Sequence, residues 1–302
     1  MKMSADQFQR SFADDPPLKE KVFDLLETCF PGITQAERES LDLGRPWEGA
    51  STPFVRWQGE LAITHVGLLE IPLVSMGQTV CVGGIHAVGT RPEYRRRGYY
   101  RQVMTEVLQY CAQRYSTLIL TTGQPELYEP FGFRVVQEHL FTASCASPGG
   151  RQGFRPFKPH DPGDLRLLER LLETRVPVSH ILGVVQEKAV FSFNVRDFPL
   201  YYAADLGVFV AFTLDGPQLN LFDIVGMQIP SLAAIVERLP QRIDQVVAYF
   251  SPDCLGANFQ ATPHLLMDSP EALGGAGADF FMVRGPFAAE GQACMLPRSA
   301  RC

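Results

Sequence analysis

The segment from Thr79 to Thr122 constrains the fold more than any other part of this 302-residue chain. Thr79–Val88 is rich in Val and Ile and predicts a strand, and the pair Gly83-Gly84 within it indicates a bulge or a close approach of another backbone. Tyr99–Arg114 follows as a predicted helix, and Leu118–Thr122 as a short apolar strand. The segment thus predicts a unit of strand, helix and strand.

The order of strand, helix and strand recurs at Leu219–Ser251, in the second half of the chain. The length is about twice that of a typical domain. Between the halves lies the Gly/Pro/Ser cluster Ser147–Gly153, which is predicted to be a linker. The sequence therefore predicts two domains, residues 1–147 and residues 154–302.

Several further elements are predicted outside these two units. Arg134–Ala143 is expected to be the last strand of the first half, and Lys188–Val195 a strand of the second. Leu273–Ala278 is predicted to be a loop and Phe280–Arg284 the final strand. The tail after Phe287 is expected to be loosely held.

Composition excludes several classes of protein. The chain is 46% hydrophobic and 20% charged with a net charge of −6, and it has no basic tail, so nucleic acid is not an expected partner. No apolar run reaches the roughly 18 residues of a membrane span, and the polar N-terminus is unlike a signal peptide. Seven cysteines without a CxxC pair favour a reducing, cytoplasmic setting. The six histidines lack metal-ligand spacing, so no metal is predicted.

The turn Gly89–Arg101 is loaded with glycine and arginine at the start of the predicted helix. The first turn of a helix leaves backbone N–H groups unpaired at the positive end of the helix dipole, and such a turn receives phosphate oxygens. Gly98 lets the backbone approach an anion closely, and Arg95, Arg96 and Arg97 add positive charge. The alternative is a solvated basic turn that only caps the strand.

From Val88 to Gly98 the chain reads V-G-T-R-P-E-Y-R-R-R-G. This resembles the V-x-P-x-x-R-x-x-G-x-G/A acetyl-CoA-binding signature of the GCN5-related N-acetyltransferase (GNAT) superfamily, with R-x-x-G on Arg95 and Gly98. Tyr100 departs from the family pattern, which has a small residue there. The resemblance implies acetyl-CoA as acyl-donor cosubstrate. The residues it implies for binding are Ala87, Val88, Arg95, Arg96, Arg97, Gly98, Tyr99, Tyr100 and Arg101.

A second segment, Leu127-Tyr128-Glu-Pro-Phe-Gly132-Phe133, resembles the family's L-Y-x-x-x-G-F motif. The resemblance implies that Tyr128 protonates the departing CoA thiolate, a role that suits a phenol because its pKa near 10 keeps it protonated; the alternative is a tyrosine that only packs. Amine acetylation also needs a base, for which His86 is the first candidate, Glu126 the second and Glu70 the third.

The resemblance implies an α+β fold of two GNAT-like domains, each a mixed, mostly antiparallel twisted sheet flanked by helices. In the second half the turn Gly226–Ser231 has neither arginine nor R-x-x-G, so this half is interpreted as a degenerate copy without a CoA motif that forms a cleft wall or a subunit interface. The alternative is an unrelated small α+β domain. The tandem arrangement also resembles the Eis-type family, in which the end of the chain enters the active site. The last residues of this sequence, up to Cys302, include no apolar terminal residue suited to burial, so this role is not assigned to them.

These observations predict an acetyl-CoA-dependent N-acetyltransferase that transfers acetyl directly to a primary amine of a small molecule or peptide. The alternative is a catalytically inactive acyl-CoA-binding sensor or scaffold. No nucleic acid or membrane partner is expected, and a homo-oligomer stays open.

Overall fold

The computed structural model of the chain describes residues 12, 15–43, 49–264, 266–267 and 278–302. The predicted Leu273–Ala278 loop thus lies almost entirely outside the described residues. The α-helices are α1 Pro16–Cys29, α2 Ile33–Asp42, α3 Tyr99–Cys111, α4 Pro162–Thr174, α5 Ala189–Asn194 and α6 Leu232–Val236. The strands are β1 Ser51–Gln58, β2 Leu61–Ser75, β3 Gln78–Thr90, β4 Leu118–Thr122, β5 Arg134–Val135, β6 Glu138–Ser147, β7 Arg155–Pro156, β8 Leu182–Val184, β9 Leu200–Ala203, β10 Val208–Asp215, β11 Gln218–Val225, β12 Ile243–Ala248, β13 Gln260–His264, β14 Leu266–Met267 and β15 Ala278–Arg284.

The strands form two mixed sheets, and the α+β prediction is confirmed. The first sheet has the order β1-β2-β3-β4-β15-β14, with β8 on β2 and β5 on β15. The second has the order β13-β6-β12-β11-β10-β9-β7.

Each sheet holds one parallel pair joined by a helix. In the first, β3 and β4 are parallel with α3 between them, and in the second, β11 and β12 are parallel with α6 between them. The other described pairs are antiparallel. The predicted recurrence of strand, helix and strand is therefore confirmed.

The two sheets exchange strands across the predicted linker. β15, from the end of the chain, pairs with β4 in the first sheet, whereas β6, from the first half, pairs with β12 in the second. The predicted strand Arg134–Ala143 is thus wrong as one element, because it divides into β5 on the first sheet and β6 on the second. Phe141 and Ala143 of β6 pack in the core of the second sheet. The domain ranges 1–147 and 154–302 stay a prediction, but the sheets do not divide there.

Two other predictions are wrong. Lys188–Val195 forms helix α5 instead of a strand, because the buried Glu187 carboxylate accepts hydrogen bonds from the N–H groups of Val190 (2.8 Å) and Phe191 (2.9 Å) at the start of the helix. The tail after Phe287 is not loosely held. Its buried residues include Cys294, Met295, Leu296, Ser299 and Ala300.

Helix α3 is positioned by its apolar face. Val103, Met104 and Val107 are buried in one core cluster together with residues of β1–β4, among them Leu68 and Leu118. Residues at this spacing lie on one side of a helix, so burying them fixes how α3 lies on the sheet. The N-terminus of α3 is thereby held next to the end of β3.

The second sheet contains a fully buried ion pair. The Arg175 guanidinium donates to both carboxylate oxygens of Asp223, at 2.7 and 3.1 Å, and to the carbonyl oxygen of Ile224 at 3.0 Å. Both side chains are 0% exposed. Arg175→Ala is expected to lower the free energy of unfolding by about 3–5 kcal/mol, because it leaves the Asp223 carboxylate buried without its cation. Urea denaturation measures this loss.

The matched control for that variant is Arg242→Ala. Arg242 pairs with Asp244 at 2.6 Å, but both side chains are well exposed, at 73% and 43%. Solvent-exposed ion pairs contribute little to stability, so the urea midpoint of this variant is expected to equal that of the wild type. Equal midpoints for both variants would contradict a stabilising role of the buried pair.

Candidate active site

Strands β3 and β4 diverge soon after they meet. Their parallel pairing joins Gly83 to Leu118 and Gly84 to Ile119, and no further register pair is present in the described strands. We call the gap between Ile85–Thr90 of β3 and Leu120–Thr122 of β4 the β3–β4 fork. An opening within a sheet exposes backbone groups that neighbouring strands would otherwise satisfy, so it can receive an extended ligand.

A β-bulge lies on the β3 side of the fork. Gly67 of β2 pairs with His86, and His65 pairs with Gly89, so that Ala87 and Val88 together face a single residue of β2. Ala87 has a φ of +48°, in the left-handed region that non-glycine residues rarely adopt. Bulges of this kind redirect backbone groups beside active sites.

Beyond β3, the arginine-rich turn leads into α3. Gly98 is the N-cap with a φ of +81°, and no described side chain caps the helix there. Arg95, Arg96 and Arg97 are exposed, with the Arg97 guanidinium 5.4 Å from the centre of the Tyr94 ring. An uncapped helix N-terminus beside three cations has the charge and the free N–H groups that bind anions.

Arg91 has a different function from these exposed arginines. It is 7% exposed, donates from Nε to the carbonyl oxygen of Ala62 at 2.8 Å, and pairs with Asp24 of α1. Arg91 therefore anchors the start of the turn to β2 and α1, and it does not add to the anion-binding charge.

The bulky Tyr100 turns its side chain towards the segment after β4. Its hydroxyl donates to the carbonyl oxygen of Leu127 at 3.1 Å, and its ring lies edge-on to Phe131 at 5.6 Å and to Tyr128 at 6.1 Å. The large side chain of Tyr100, at a position where the family pattern has a small residue, is therefore accommodated by packing on this segment. It also brings the first turn of α3 into contact with Tyr128.

Tyr128 lies on the β4 side of the fork. Its side chain is 7% exposed and packs edge-on against Phe133 at 6.1 Å. Burial raises the pKa of Tyr128 to about 12, while a side-chain hydrogen bond with Thr122, the last residue of β4, acts in the opposite direction. The phenol is protonated at pH 7 and can donate a proton.

His86, the first candidate base, points away from the fork. Its ring lies over Gly67 of β2, where a Cβ would overlap it, and its Nε2 is 2.9 Å from the hydroxyl oxygen of Ser51 on β1. Burial lowers the pKa of His86 to about 3, so the imidazole is neutral at pH 7 but a weak base. This geometry does not support the prediction that His86 acts as the base.

The two carboxylates that were the other candidates lie in different places. Glu126 is exposed in the short helical turn Pro125–Leu127, directly before Tyr128. Glu70 lies on β2 and accepts a hydrogen bond from the Tyr115 hydroxyl at 3.1 Å. Only Glu126 belongs to the segment that carries Tyr128.

Two residues at the fork were missed by sequence reasoning. The N–H of Thr121 on β4 donates to the main-chain oxygen of Cys302 at 2.9 Å, and the Cys302 side chain packs beside Gly84. The end of the chain thus lies beside β3 and β4, although the sequence predicts no terminal residue suited to burial. Burial raises the pKa of the Cys302 thiol to about 12, so it is not a thiolate at pH 7.

The other missed residue is His65, whose Nδ1 lies 2.7 Å from the carbonyl oxygen of Ala87. No local pattern marks either residue.

A comparison with known families finds a match over the segment that contains this arrangement. Residues 18–136 match the model of a family described as an acetyltransferase (GNAT) domain. This part of the chain, about two fifths of its length, is therefore similar to GNAT domains. The match supports acyl transfer as the general chemistry of this segment. The matched range includes the bulge, the arginine-rich turn, the fork and Tyr128. Among curated proteins, none matches the chain significantly.

Solved structures extend the likeness in fold beyond the GNAT domain. A probable N-acyltransferase from Enterococcus faecalis V583 is 15% identical with a TM-score of 0.55, covering 92% of this chain and 71% of that one. A GCN5-related N-acetyltransferase from Kribbella flavida is 18% identical with a TM-score of 0.53, covering 94% and 70%. Eis1 from Mycobacterium abscessus is 14% identical with a TM-score of 0.53, covering 92% and 73%. At these identities the likeness concerns the fold alone.

Two further findings concern the described part of the chain only. It contains no group of three or more His, Cys, Asp or Glu side chains arranged to hold a metal ion. Within the same residues, no helix combines the length and the apolar character that crossing a membrane requires.

Proposed function

We propose that the chain is an acetyl-CoA-dependent N-acetyltransferase that transfers the acetyl group directly to a primary amine of a small molecule or peptide. One observation carries the proposal: the β3–β4 fork lies between an uncapped helix N-terminus rich in arginine and a buried, protonated tyrosine. The first feature suits a diphosphate, and the second suits a leaving group that must be protonated.

The residues of the turn fit the diphosphate of CoA. A Cβ placed on Gly98 would meet no atom within 4 Å, so the space in front of this backbone is open. The N–H groups of Gly98, Tyr99, Tyr100 and Arg101 would hold the phosphate oxygens, because helix N-termini leave these groups unpaired. The guanidinium groups of Arg95, Arg96 and Arg97 would add charge-assisted hydrogen bonds.

The proposed mechanism needs no covalent enzyme intermediate. The thioester supplies the acetyl group; a carbon–nitrogen bond to the amine forms as the carbon–sulfur bond breaks. Backbone N–H groups at the Ala87–Val88 bulge polarise the thioester carbonyl. The Tyr128 hydroxyl donates its proton to the departing sulfur. Glu126 takes the proton that the substrate ammonium must lose before it can attack. The second proton, which the nitrogen loses as the amide forms, restores the Tyr128 phenol.

Tyr128→Phe is expected to lower kcat about 100-fold, because the variant keeps the ring packing but cannot donate a proton. The KM for acetyl-CoA is expected to stay within about twofold of the wild type, since the diphosphate-binding turn is intact. Release of free thiol from acetyl-CoA with a panel of primary amines measures both parameters.

The matched control is Tyr110→Phe. Tyr110 is 8% exposed and belongs to the same core cluster, but it packs edge-on against Phe54, away from the fork. Its kcat is expected to equal that of the wild type. If the kcat of Tyr128→Phe equals that of Tyr110→Phe, Tyr128 does not donate the proton.

The second candidate is an acyl-CoA-binding sensor or scaffold without turnover. It is favoured by the placement of Tyr128, whose hydroxyl is already hydrogen-bonded to Thr122 and whose side chain is 7% exposed. The amine panel separates the two functions: CoA binding without thiol release for any amine would support the sensor.

The second half is proposed to be a degenerate GNAT-like copy that lines the acceptor cleft or forms a subunit interface. Its β11–α6–β12 unit has the topology of β3–α3–β4, but α6 is only five residues long, and the turn before it, Gly226–Ser231, has no arginine. It therefore lacks the charge that a diphosphate needs.

We also propose a cytoplasmic location for the protein. All seven cysteines are free thiols, which suits a reducing compartment.

A further inference from the structure

A histidine of the neighbouring strand holds the bulge that borders the fork. His65 lies on β2, and its Nδ1 is 2.7 Å from the carbonyl oxygen of Ala87 on β3. A carbonyl oxygen only accepts hydrogen bonds, so Nδ1 carries the proton and donates it. The imidazole thus makes a side-chain contact to one peptide unit of the bulge.

That peptide unit is held in an unusual conformation. The φ of Ala87 is +48°, and alanine in the left-handed region is strained. Strained residues persist where their surroundings over-determine them, and they cluster at functional sites. The hydrogen bond from His65 is one such determinant, because it fixes the direction of the Ala87 carbonyl.

The direction of this carbonyl also sets the direction of the next N–H. The peptide between Ala87 and Val88 is planar and trans, so its C=O and N–H point in opposite directions. The carbonyl points to His65 on the β2 side of β3. The N–H of Val88 is therefore directed away from His65, and β4 lies on the side of β3 opposite to β2.

We propose that His65 is a positioning residue, which holds the Ala87–Val88 peptide so that the Val88 N–H faces the β3–β4 fork and binds the thioester carbonyl oxygen there. This inference rests on the proposed function and deepens it, because it names the side chain that sets the donor. His65 acts through Ala87 and does not itself touch the acyl group.

The surroundings of His65 fit a fixed donor better than a proton carrier. The side chain is 0% exposed, and its ring lies 6.3 Å from the ring of Phe12. Burial lowers the pKa of His65 to about 4, so the ring stays neutral at pH 7. Among the described residues, Nε2 has no hydrogen-bond partner. The hydrogen bond from Nδ1 is thus the ring's polar link to the bulge.

Two amide variants separate the Nδ1 position from the rest of the ring. The amide nitrogen of asparagine lies as many bonds from Cβ as Nδ1, whereas that of glutamine corresponds to Nε2. His65→Asn therefore keeps a donor for the Ala87 carbonyl, and His65→Gln places its donor elsewhere. His65→Leu, an apolar variant without any donor, serves if the glutamine variant fails to fold.

The readout is the infrared carbonyl stretch of acetyl-CoA labelled with ¹³C at the thioester carbonyl, bound to the full chain. In the wild type and His65→Asn, the stretch is expected at lower wavenumber than in free acetyl-CoA, because a hydrogen bond weakens the C=O bond. In His65→Gln or His65→Leu this shift is expected to be lost. Affinity for CoA, which has no acyl carbonyl, is expected to be unchanged in all variants.

Kinetics supply the second readout, with the amine that the wild type acetylates fastest. In His65→Gln, kcat is expected to fall about 10- to 100-fold with the KM for acetyl-CoA unchanged. This loss of kcat is smaller than the loss expected when the oxyanion donor itself is removed, because the Val88 N–H is still present. His65→Asn is expected to stay within about threefold of the wild type. A role limited to folding would instead lower CoA affinity and the melting temperature together.

The outcomes distinguish the inference from the function on which it rests. A wild-type carbonyl shift that persists in His65→Gln and His65→Leu overturns the positioning role and leaves the proposed function standing. Loss of the shift in His65→Asn overturns it as well. Failure of the wild type to bind acetyl-CoA overturns the proposed function and the inference together.

Discussion

The Gly98→Val variant is expected to lose affinity for CoA by at least about 100-fold, close to 3 kcal/mol of binding free energy. Gly98 has a φ of +81°, which a β-branched residue adopts only with strain of about 1–3 kcal/mol, so the turn is expected to rearrange. The new side chain would also fill the open space in front of the helix N-terminus, where an anion must approach the N–H groups. Titration calorimetry with CoA measures the loss.

The matched control for Gly98→Val is Gly216→Val. Gly216, between β10 and β11, also has a positive φ (+54°), and a Cβ there would also meet no atom within 4 Å. The control therefore carries a similar backbone strain without touching the arginine-rich turn. It is expected to bind CoA like the wild type. Full affinity in Gly98→Val would mean that the diphosphate binds elsewhere.

Cutting the chain between Gly150 and Arg151 is expected to prevent both fragments from folding alone. The first fragment would lack β15, which pairs with β4 along five residues from Phe280 to Arg284. The second would lack β6, which pairs with both β12 and β13. Each fragment thus exposes the edge of a central parallel strand and loses part of its core. Neither is expected to unfold cooperatively in urea or to bind CoA.

Co-expression is the control for the divided chain. Each missing strand is present in the other fragment, so the two fragments together are expected to form a 1:1 complex that binds CoA. The intact chain cleaved at Arg151 after folding is expected to behave in the same way. A fragment of residues 1–150 that folds and binds CoA by itself would contradict the structural importance of the exchange.

The unit that binds the proposed diphosphate could be predicted from sequence because its determinants are local. The strand–turn–helix–strand order is encoded in residues 79–122, and the observed β4 has the predicted bounds Leu118–Thr122. Gly98 and the neighbouring arginines mark the turn by their chemistry alone. Tyr128 comes six residues after Thr122, the last residue of β4, so its place near β4 is also a local property.

What could not be predicted depends on pairing over long distances. β6 and β15 have similar strand-like composition, and nothing within either strand says which sheet it joins. The contact of His65 with Ala87 depends on the β2–β3 register and its bulge. In Lys188–Val195, aromatic and β-branched residues favour a strand, but capping by Glu187 and burial of Val190 and Phe191 favour a helix.

The exchanged strands also bear on how such a chain can change over evolutionary time. A second half without a diphosphate-binding turn would be dispensable if the two halves were separate modules. Here the half that carries the turn obtains β15, the neighbour of β4, from the far end of the chain. A deletion that removes the second half therefore also removes part of the first sheet. Selection for the first half alone is then sufficient to maintain the whole chain.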